Sequence, residues 1–220
     1  MIKNNDFIEI EYTGRFTDSN EIFDTTDIKI AKENDLFEEG SEAKFAPLIL
    51  CVGQGQVVKG LDKALVGKKL NEEFKVEVTA EEGFGKKDAK LMSLVSANEF
   101  KKQKVHPVVG MAVNIDDSMG IIRSVSGGRV VVDFNHPFSS KDLIYEVKIL
   151  KIIDDRVEKI KLVTKNFFNI ESEVEIKENK AEVKFKLPAN VPKESLNDEI
   201  KKVFADKIKE IVGIESNINL

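Results

Sequence analysis

The chain has 220 residues, of which 41% are hydrophobic and 33% are charged, and its formal net charge is −5. The apolar share is enough for packed cores, which excludes a wholly disordered chain, and the length suits one to three domains. The acidic balance disfavours binding along a phosphate backbone. We therefore expect no nucleic-acid partner, and association through a lysine-rich surface is the weakest hypothesis.

No apolar stretch reaches the about 18–20 residues that span a bilayer. The opening residues carry neither the apolar region nor the cleavage pattern of a signal peptide. From this pattern we expect a cytoplasmic protein without a membrane partner.

The first 80 residues predict an antiparallel sheet with one short helix laid across it. Residues 8–14 alternate apolar with polar side chains, the period of a half-buried strand, and further strands are predicted at 21–25, 48–52 and 74–78. Residues 28–46 are charged and irregular, which indicates a surface excursion. The helix is predicted within 57–67, because Leu61, Ala64 and Leu65 share one face and Gly67 suits its C-terminal end. This combination is typical of an α+β domain.

A small β-rich unit at 87–139 then interrupts the first domain, whose alternating pattern resumes at 143–149. Gly127-Gly128 is a hairpin signal inside the inserted unit. Short strands are predicted at 108–113, 120–123 and 129–134.

Residues 155–220 predict a separate α+β C-terminal domain. It contains a helix at 156–168, a strand pair at 174–176 and 183–187, a break from Pro188 to Pro192, a helix capped by Ser195 that runs to about Ile211, and an edge strand within 214–220. Its charges are balanced, so association of two copies through this domain is one hypothesis for its role.

The residue types of a metal or nucleophile site do not cluster in the sequence, and no cofactor is expected. Cys51 is the single cysteine and sits in an apolar run, which favours a buried, inert thiol over a reactive one. His106 and His136 each precede a proline and favour turns over a zinc site. Gly53-Gln54-Gly55-Gln56 lacks the residues that complete a phosphate-binding loop, so a turn at the end of a strand is the better interpretation.

Five short motifs together resemble the FK506-binding protein family in order and spacing. They are Tyr12-Thr13-Gly14, Phe23-Asp24-Thr25, the run from Val57-Val58-Lys59-Gly60-Leu61 to Gly67, Gly83-Phe84-Gly85, and Leu143-x-Tyr145-x-Val147. The resemblance implies an isomerase domain at 1–86 plus 140–154. It also implies a SlyD-like insert-in-flap domain with chaperone activity at 87–139 and, as in the archaeal long-type members, an additional domain at 155–220.

Carried over by position, the resemblance implies that nine residues line a prolyl pocket: Tyr12, Phe23, Asp24, Leu48, Val57, Val58, Leu61, Phe84 and Tyr145. Leu61 stands where human-type members often have tryptophan, and Phe84 replaces a tyrosine of the flap. The first departure is usual for SlyD-like relatives and would weaken the binding of bulky macrolide ligands. The second removes a hydroxyl that could hydrogen-bond substrate or drug and so orient it. For Asp24 three interpretations stay open: holding Tyr12, acting on the substrate carbonyl, or stabilising a turn.

The implied activity is peptidyl-prolyl cis/trans isomerisation of unfolded or proline-containing polypeptides. An apolar pocket would favour the twisted amide by excluding water, and it needs no nucleophile or metal. The valines and isoleucines of 87–139 indicate either an exposed patch for unfolded chains or the ordinary core of a compact domain. The alternative function is a holdase or assembly adaptor that retains the scaffold without turnover.

Overall fold

The computed structural model describes residues 1–187 and 196–219. The chain divides into two compact units. The first unit comprises Met1–Arg15, Glu21–Val76 and Ile144–Leu220, and the second comprises Phe16–Asn20 and Glu77–Leu143.

The described residues form strands and helices that we number in chain order. The strands are β1 (Phe7–Phe16), β2 (Ile22–Thr25), β3 (Leu48–Cys51), β4 (Glu73–Val78), β5 (Met92–Ser96), β6 (Ala112–Ile115), β7 (Ser118–Ser126), β8 (Arg129–Asp133), β9 (Leu143–Ile153), β10 (Glu171–Lys177), β11 (Lys180–Lys186) and β12 (Glu215–Asn219). The α-helices are α1 (Ile28–Glu33), α2 (Lys59–Leu65), α3 (Ala97–Lys102), α4 (Arg156–Phe168) and α5 (Asp198–Val212). None of the helices in this part of the chain is long and apolar enough to cross a membrane.

The five-stranded sheet has the order β2-β1-β9-β4, and β3 pairs with the other half of β1. The pairing of β1 with β2 and with β3 is antiparallel, and Phe7, Ile8 and Ile10 of β1 are buried. Helix α2 buries Leu61 and Leu65. The protein is therefore mixed α and β with antiparallel sheets, as the pattern of its first 80 residues predicts.

The segment 28–46 is more regular than predicted, because it contains α1 and a single turn of 3-10 helix at Glu42–Lys44. Asp27 caps α1: its Oδ1 accepts hydrogen bonds from the backbone N–H of Lys29 at 2.7 Å and of Ile30 at 3.3 Å. A helix of six residues offers too few positions to display an apolar period, so only its cap could have revealed it.

The second unit contains a four-stranded antiparallel sheet of order β5-β8-β7-β6. The Gly127-Gly128 hairpin between β7 and β8 is confirmed, and both glycines have positive φ. One prediction is wrong: Val108 and Val109 lie exposed before the strand, which begins only at Ala112. Pro107 supplies no N–H for a strand ladder, and Gly110 turns the backbone with φ at +88°.

Residues after 154 form a three-stranded sheet, β10-β11-β12, with α4 and α5. Helix α4 has the predicted bounds, and β12 is the predicted edge strand, paired in parallel with β11. Helix α5 is capped by Asn197, whose side chain accepts from the N–H of Ile200 at 2.9 Å. The predicted break at 188–192 and the predicted cap Ser195 lie outside the described residues.

One apolar core joins this C-terminal part to the first sheet. Phe7 and Cys51 belong to the same buried cluster as residues of α4, α5 and the three-stranded sheet. On the sheet side of α5 the members are Phe204, Ile208 and Ile211. The residues that follow β9 are thus packed directly against β1 and β3.

Candidate active site

Three aromatic rings from neighbouring strands meet in the first unit. The ring of Tyr145 on β9 lies edge-on to Tyr12 of β1, with centroids 6.0 Å apart, and edge-on to Phe23 of β2 at 5.8 Å. Tyr145 is 4% exposed, whereas Tyr12 and Phe23 are half-buried. The strand order β2-β1-β9 brings the three rings together although they are distant in sequence.

Gly14 on β1 makes room for these rings. A Cβ atom at this position would lie 2.7 Å from Cζ of Phe23 and 3.0 Å from Cε1 of Tyr145, which is closer than van der Waals contact allows. Gly14 is a positioning residue. It belongs to the motif Tyr12-Thr13-Gly14, but it is not among the nine residues predicted for the pocket. Its signal was the motif itself, because glycine inside a strand often marks the close approach of another group.

Asp24 holds Tyr12. The Tyr12 hydroxyl Oη donates a hydrogen bond to Asp24 Oδ2 at 2.6 Å, so the first of the three interpretations of Asp24 describes a contact that is present. Burial and the carboxylate of Asp24 both raise the pKa of Tyr12 above its ordinary value. The phenol therefore remains protonated and neutral in the physiological pH range.

The four aliphatic candidates lie on β3, on α2 and on the loop between them. Leu48 begins β3 and is half-buried, Val57 and Val58 end the loop, and Leu61 of α2 is fully buried. Ring and hydrogen-bond contacts thus unite Tyr12, Phe23, Asp24 and Tyr145, while these four remain predicted pocket residues.

The loop that leads to Val57 is organised by its own chain. The buried carboxylate of Asp62 accepts from the N–H of Gly53 at 2.7 Å and from the N–H of Gly55 at 3.0 Å. These amides are therefore not free for a phosphate group, and the turn interpretation is confirmed. Cys51, just before the loop, is fully buried, and burial raises the pKa of its thiol to about 12, as expected for an inert cysteine.

Phe84 belongs to the second unit, where it takes part in a cluster of aromatic rings. It stacks on the imidazole of His136 with centroids 4.5 Å apart and an interplanar angle of 2°, and it meets Phe138 edge-on at 5.2 Å. Nδ1 of His136 accepts from the N–H of Phe138 at 3.1 Å, which places this histidine in a local turn. Within residues 1–187 and 196–219, no group of three or more histidine, cysteine or acidic side chains is arranged to hold a metal ion.

The inserted unit exposes much of its apolar surface. Of the thirteen exposed large hydrophobic side chains among the described residues, eight lie in it: Leu91, Met92, Leu94, Val108, Val109, Met111, Met119 and Val125. A groove of about 400 Å³ runs between α3 and β6, and its apolar lining is Val95, Phe100, Val105, Met111, Val113 and Ile115. The compact core consists of only five buried residues, so both interpretations of the insert's valines and isoleucines apply to part of them.

Comparison with known proteins finds a matching family model and several similar isomerases. Residues 93–138 match the family described as FKBP26, IF domain. The chain is 27% identical over 149 residues to the short-type peptidyl-prolyl cis-trans isomerase of Methanocaldococcus jannaschii, a match that covers 68% of this chain and 92% of that protein. It is 33% identical over 119 residues to the SlyD isomerase of Haemophilus influenzae, covering 52% of this chain and 62% of that one.

A third relative, the SlyD isomerase of Treponema pallidum, is 28% identical over 155 residues, which cover 69% of this chain and 78% of that protein. The two SlyD relatives are of the FKBP type, and the family match falls on the unit that interrupts the first sheet. Together with the family match, these similarities support an FKBP-type, SlyD-like protein with an insert-in-flap domain.

Proposed function

We propose that the aromatic group of the first unit is the working surface of a prolyl pocket, completed by Leu48, Val57, Val58 and Leu61. The observation that supports this proposal is the Tyr12–Asp24 hydrogen bond of 2.6 Å, in a group whose rings are half or fully buried. A hydroxyl fixed in this way presents the face of its ring rather than a mobile polar end.

The reaction needs no covalent step. Rotation about a peptide bond meets a barrier of about 18–20 kcal/mol, much of it the resonance that water stabilises in the planar amide. Side chains that exclude water favour the twisted, less polar amide over the planar one, and this difference in binding lowers the barrier. An acceleration of about 10⁴-fold would require only about 5–6 kcal/mol of such preference.

In this mechanism Asp24 acts through Tyr12. The carboxylate accepts a hydrogen bond from the phenol hydroxyl, and the raised pKa of Tyr12 keeps the proton on the phenol oxygen. Tyr12 and Phe23 would contact the prolyl ring, while Gly14 leaves the space that their arrangement requires. Phe84, in the second unit, stays a prediction from the sequence.

Turnover of a short prolyl peptide by the full chain tests the function directly. We expect catalysis well above the uncatalysed rate, and Tyr12→Phe should lower kcat/KM about five-fold, the effect of about 1 kcal/mol for one hydrogen bond. Phe84→Ala tests the remaining candidate. Phe37→Ala, which removes a half-buried ring from the segment that follows α1, is the control.

The alternative is a holdase without turnover. It would be favoured if the folded protein suppressed aggregation but isomerised prolyl peptides no faster than the uncatalysed rate. The replacement of the family's usual tryptophan by Leu61 and of its flap tyrosine by Phe84 supports this alternative. The relatives bear the names of isomerases, which argues against it.

The insert is proposed to capture unfolded chains. Its groove between α3 and β6 combines the apolar lining described above with the polar side chains of Glu99, Gln103, Asn114 and Asp116, and β6 is an edge strand of the sheet. An extended polypeptide can pair with such an edge strand through main-chain hydrogen bonds while its side chains occupy the groove. Adding a permanently unfolded protein should therefore inhibit proline-limited refolding of a protein substrate and leave tetrapeptide turnover unchanged. Equal inhibition of both reactions would contradict this division of labour.

Pairing of two copies is proposed through residues 155–220. A cleft between α4 and α5 is lined by Phe167, Phe168 and Val203, and Val203 is 59% exposed. Light scattering should give the mass of a dimer for the wild type and of a monomer for Val203→Asp. A monomeric wild type would overturn the proposal.

A further inference from the structure

Helix α5 of the C-terminal part contacts the loop that carries two predicted pocket residues. Val57 and Val58 end the segment that links β3 to α2, and Val58 is the N-cap of α2. No side-chain hydrogen bond forms this cap, and the carbonyl of Val58 accepts from the N–H of Asp62 at 3.0 Å. Both valines directly follow the loop residues Gly53 to Gln56, so the way in which these residues are held bears on where the valines lie.

The loop from Gly53 to Gln56 is held by hydrogen bonds between backbone amides and side chains of the loop itself and of α2. Asp62 accepts from the amides of Gly53 and Gly55, and Oε1 of Gln56 accepts from the N–H of Cys51 at 2.6 Å. Gly53 and Gly55 both have φ in the left-handed region, at +80° and +67°. None of these three hydrogen bonds involves a residue of the C-terminal part.

The side chain of Gln54 connects this loop to helix α5. Its Oε1 accepts from Nζ of Lys207 at 2.8 Å, and its Nε2 donates to Oδ1 of Asn5 at 2.8 Å. Lys207 also donates to Oε2 of Glu210 at 3.0 Å, and Asn5 donates to the carbonyl oxygen of Glu210 at 3.3 Å. The amide of Gln54 thus has its oxygen and its nitrogen engaged by two different parts of the chain.

Lys207 is held in a fixed place. Its side chain is 23% exposed, and its Nζ lies 5.0 Å from the ring centroid of Phe167 on α4. Nearby, Cys51 lies in the same apolar core as Ile208 and Ile211, and Asn166 of α4 donates to the carbonyl of Ile49 at 3.1 Å. A lysine confined in this way can fix the side chain that it contacts.

We propose that the C-terminal part acts on the isomerase site through Gln54, with Lys207 as a positioning residue that holds the loop and so places Val57 and Val58. The inference rests on the proposed prolyl pocket. Anything that moves α5 would change the affinity for the prolyl substrate. The C-terminal part is then a component of the catalytic machinery in addition to any role in pairing.

The mechanism predicts a specific kinetic signature. If the loop visits its competent arrangement less often, the apparent affinity falls by that fraction, while the bound state reacts as before. Lys207→Met should raise KM for a prolyl tetrapeptide about three- to ten-fold, with kcat changed less than two-fold. Lys202→Met removes the same charge from an exposed position of α5 and should leave both constants unchanged.

A double-mutant cycle tests whether the effect passes through Gln54. If it does, Gln54→Ala should raise KM to a similar degree, and the double variant should be no worse than Gln54→Ala alone. Cys51, the single cysteine, reports on packing, because looser packing would speed its reaction with a thiol reagent, whereas loss of the Lys207 charge alone raises the pKa of the thiol and would slow that reaction.

An unchanged KM in Lys207→Met, losses that multiply in the double variant, or faster labelling of Cys51 in step with the rise in KM would each overturn the inference while leaving the isomerase function intact. An inactive wild type would instead overturn the proposed function. In that case the amide chemical shifts of Val57 and Val58 decide: a change in both on Lys207→Met supports positioning by α5, and no change refutes it.

Discussion

The first unit and the insert both have sheets rich in valine and isoleucine, but they bury these side chains to different extents. In the first unit, strands from two sheets and the helices α4 and α5 share one continuous core of fourteen buried residues. In the insert, a single four-stranded sheet packs against the six-residue helix α3, and its core has five buried residues.

The difference follows from the number of layers. A sheet has two faces, and one short helix covers only part of one of them. A small domain also buries a smaller fraction of its surface than a large one. Exposed apolar side chains are therefore a direct consequence of the insert's size, and they form the surface that we propose for unfolded polypeptides.

Phe100→Ala should give the largest effect, because it breaks the smaller core. Phe100 of α3 is 6% exposed, and removing such a ring costs about 3–5 kcal/mol, which is comparable to the whole stability of a small domain. We expect the amides of β7 and β8 to lose their protection in hydrogen exchange, while those of β1 stay protected and tetrapeptide turnover persists.

Phe204→Ala is the matched change in the larger core, where the ring is also 6% exposed. A similar cost there should leave the first unit folded. Loss of protection across the whole chain in Phe100→Ala would show that the two cores unfold together, and the comparison would fail.

Asp133→Asn should weaken the insert at its base by about 2 kcal/mol or more. Asp133 is buried, and its carboxylate accepts from Arg123 Nε at 3.0 Å, from Lys87 Nζ at 3.2 Å and from the side chain of Asn135 at 2.8 Å. Burial by itself would raise the pKa of Asp133, but these hydrogen bonds outweigh it and hold the pKa well below its ordinary value.

A lowered pKa fixes the direction of the pH dependence. The contribution of Asp133 is fully present above the ordinary pKa of 3.8 and is lost as the pH falls towards the lower pKa of the folded state. The wild-type insert should lose protection on acidification below this value, as followed by hydrogen exchange. The acid-induced change should be smaller in Asp133→Asn, and an identical acid profile would contradict the assignment.

Gly14→Ala should disturb the aromatic group by about 1–3 kcal/mol, the usual cost of overpacking, because its Cβ would meet Phe23 and Tyr145. We expect a higher KM for the prolyl tetrapeptide and a lower melting temperature of the first unit. Gly40→Ala is the control, since Gly40 has φ at +87° but no atom within 4 Å of the added methyl group. The Gly40→Ala variant shows the effect of backbone strain alone, because its added methyl group contacts no aromatic ring.

Leu94→Ser should have the smallest effect on stability, within about 0.5 kcal/mol, because Leu94 is 62% exposed. Suppression of aggregation should nevertheless fall, and tetrapeptide turnover should be unaffected. Leu70→Ser, at a leucine of the first unit that is 51% exposed, should change neither. An equal loss of aggregation suppression in both variants would show that the insert is not a special surface.

The elements predicted best are those with a sustained period. The helix α4 shows its apolar spacing over four turns and has the predicted bounds, and the alternation of β1 and β9 marked the first sheet. The elements that were missed, α1, β5 and α3, are only five or six residues long. Such short runs carry too little pattern to distinguish a strand from a loop.

The polar contacts of the site were beyond a reading of local pattern. The motifs identified Tyr12 and Asp24, but the role of Asp62 depends on two loop amides that only the folded backbone places. The contact between Gln54 and Lys207 joins residues 153 positions apart, and neither residue type is distinctive on a charged surface. Long-range polar pairs of this kind have no periodic signal.

The place of β9 between β1 and β4 has a consequence for synthesis on the ribosome. The nascent chain emerges from its N-terminus, and the central strand of the first sheet follows the insert. The isomerase sheet therefore cannot close before the insert has left the ribosome. Each newly made molecule would pass through a stage in which the proposed polypeptide-binding surface is complete and the proposed prolyl pocket is not.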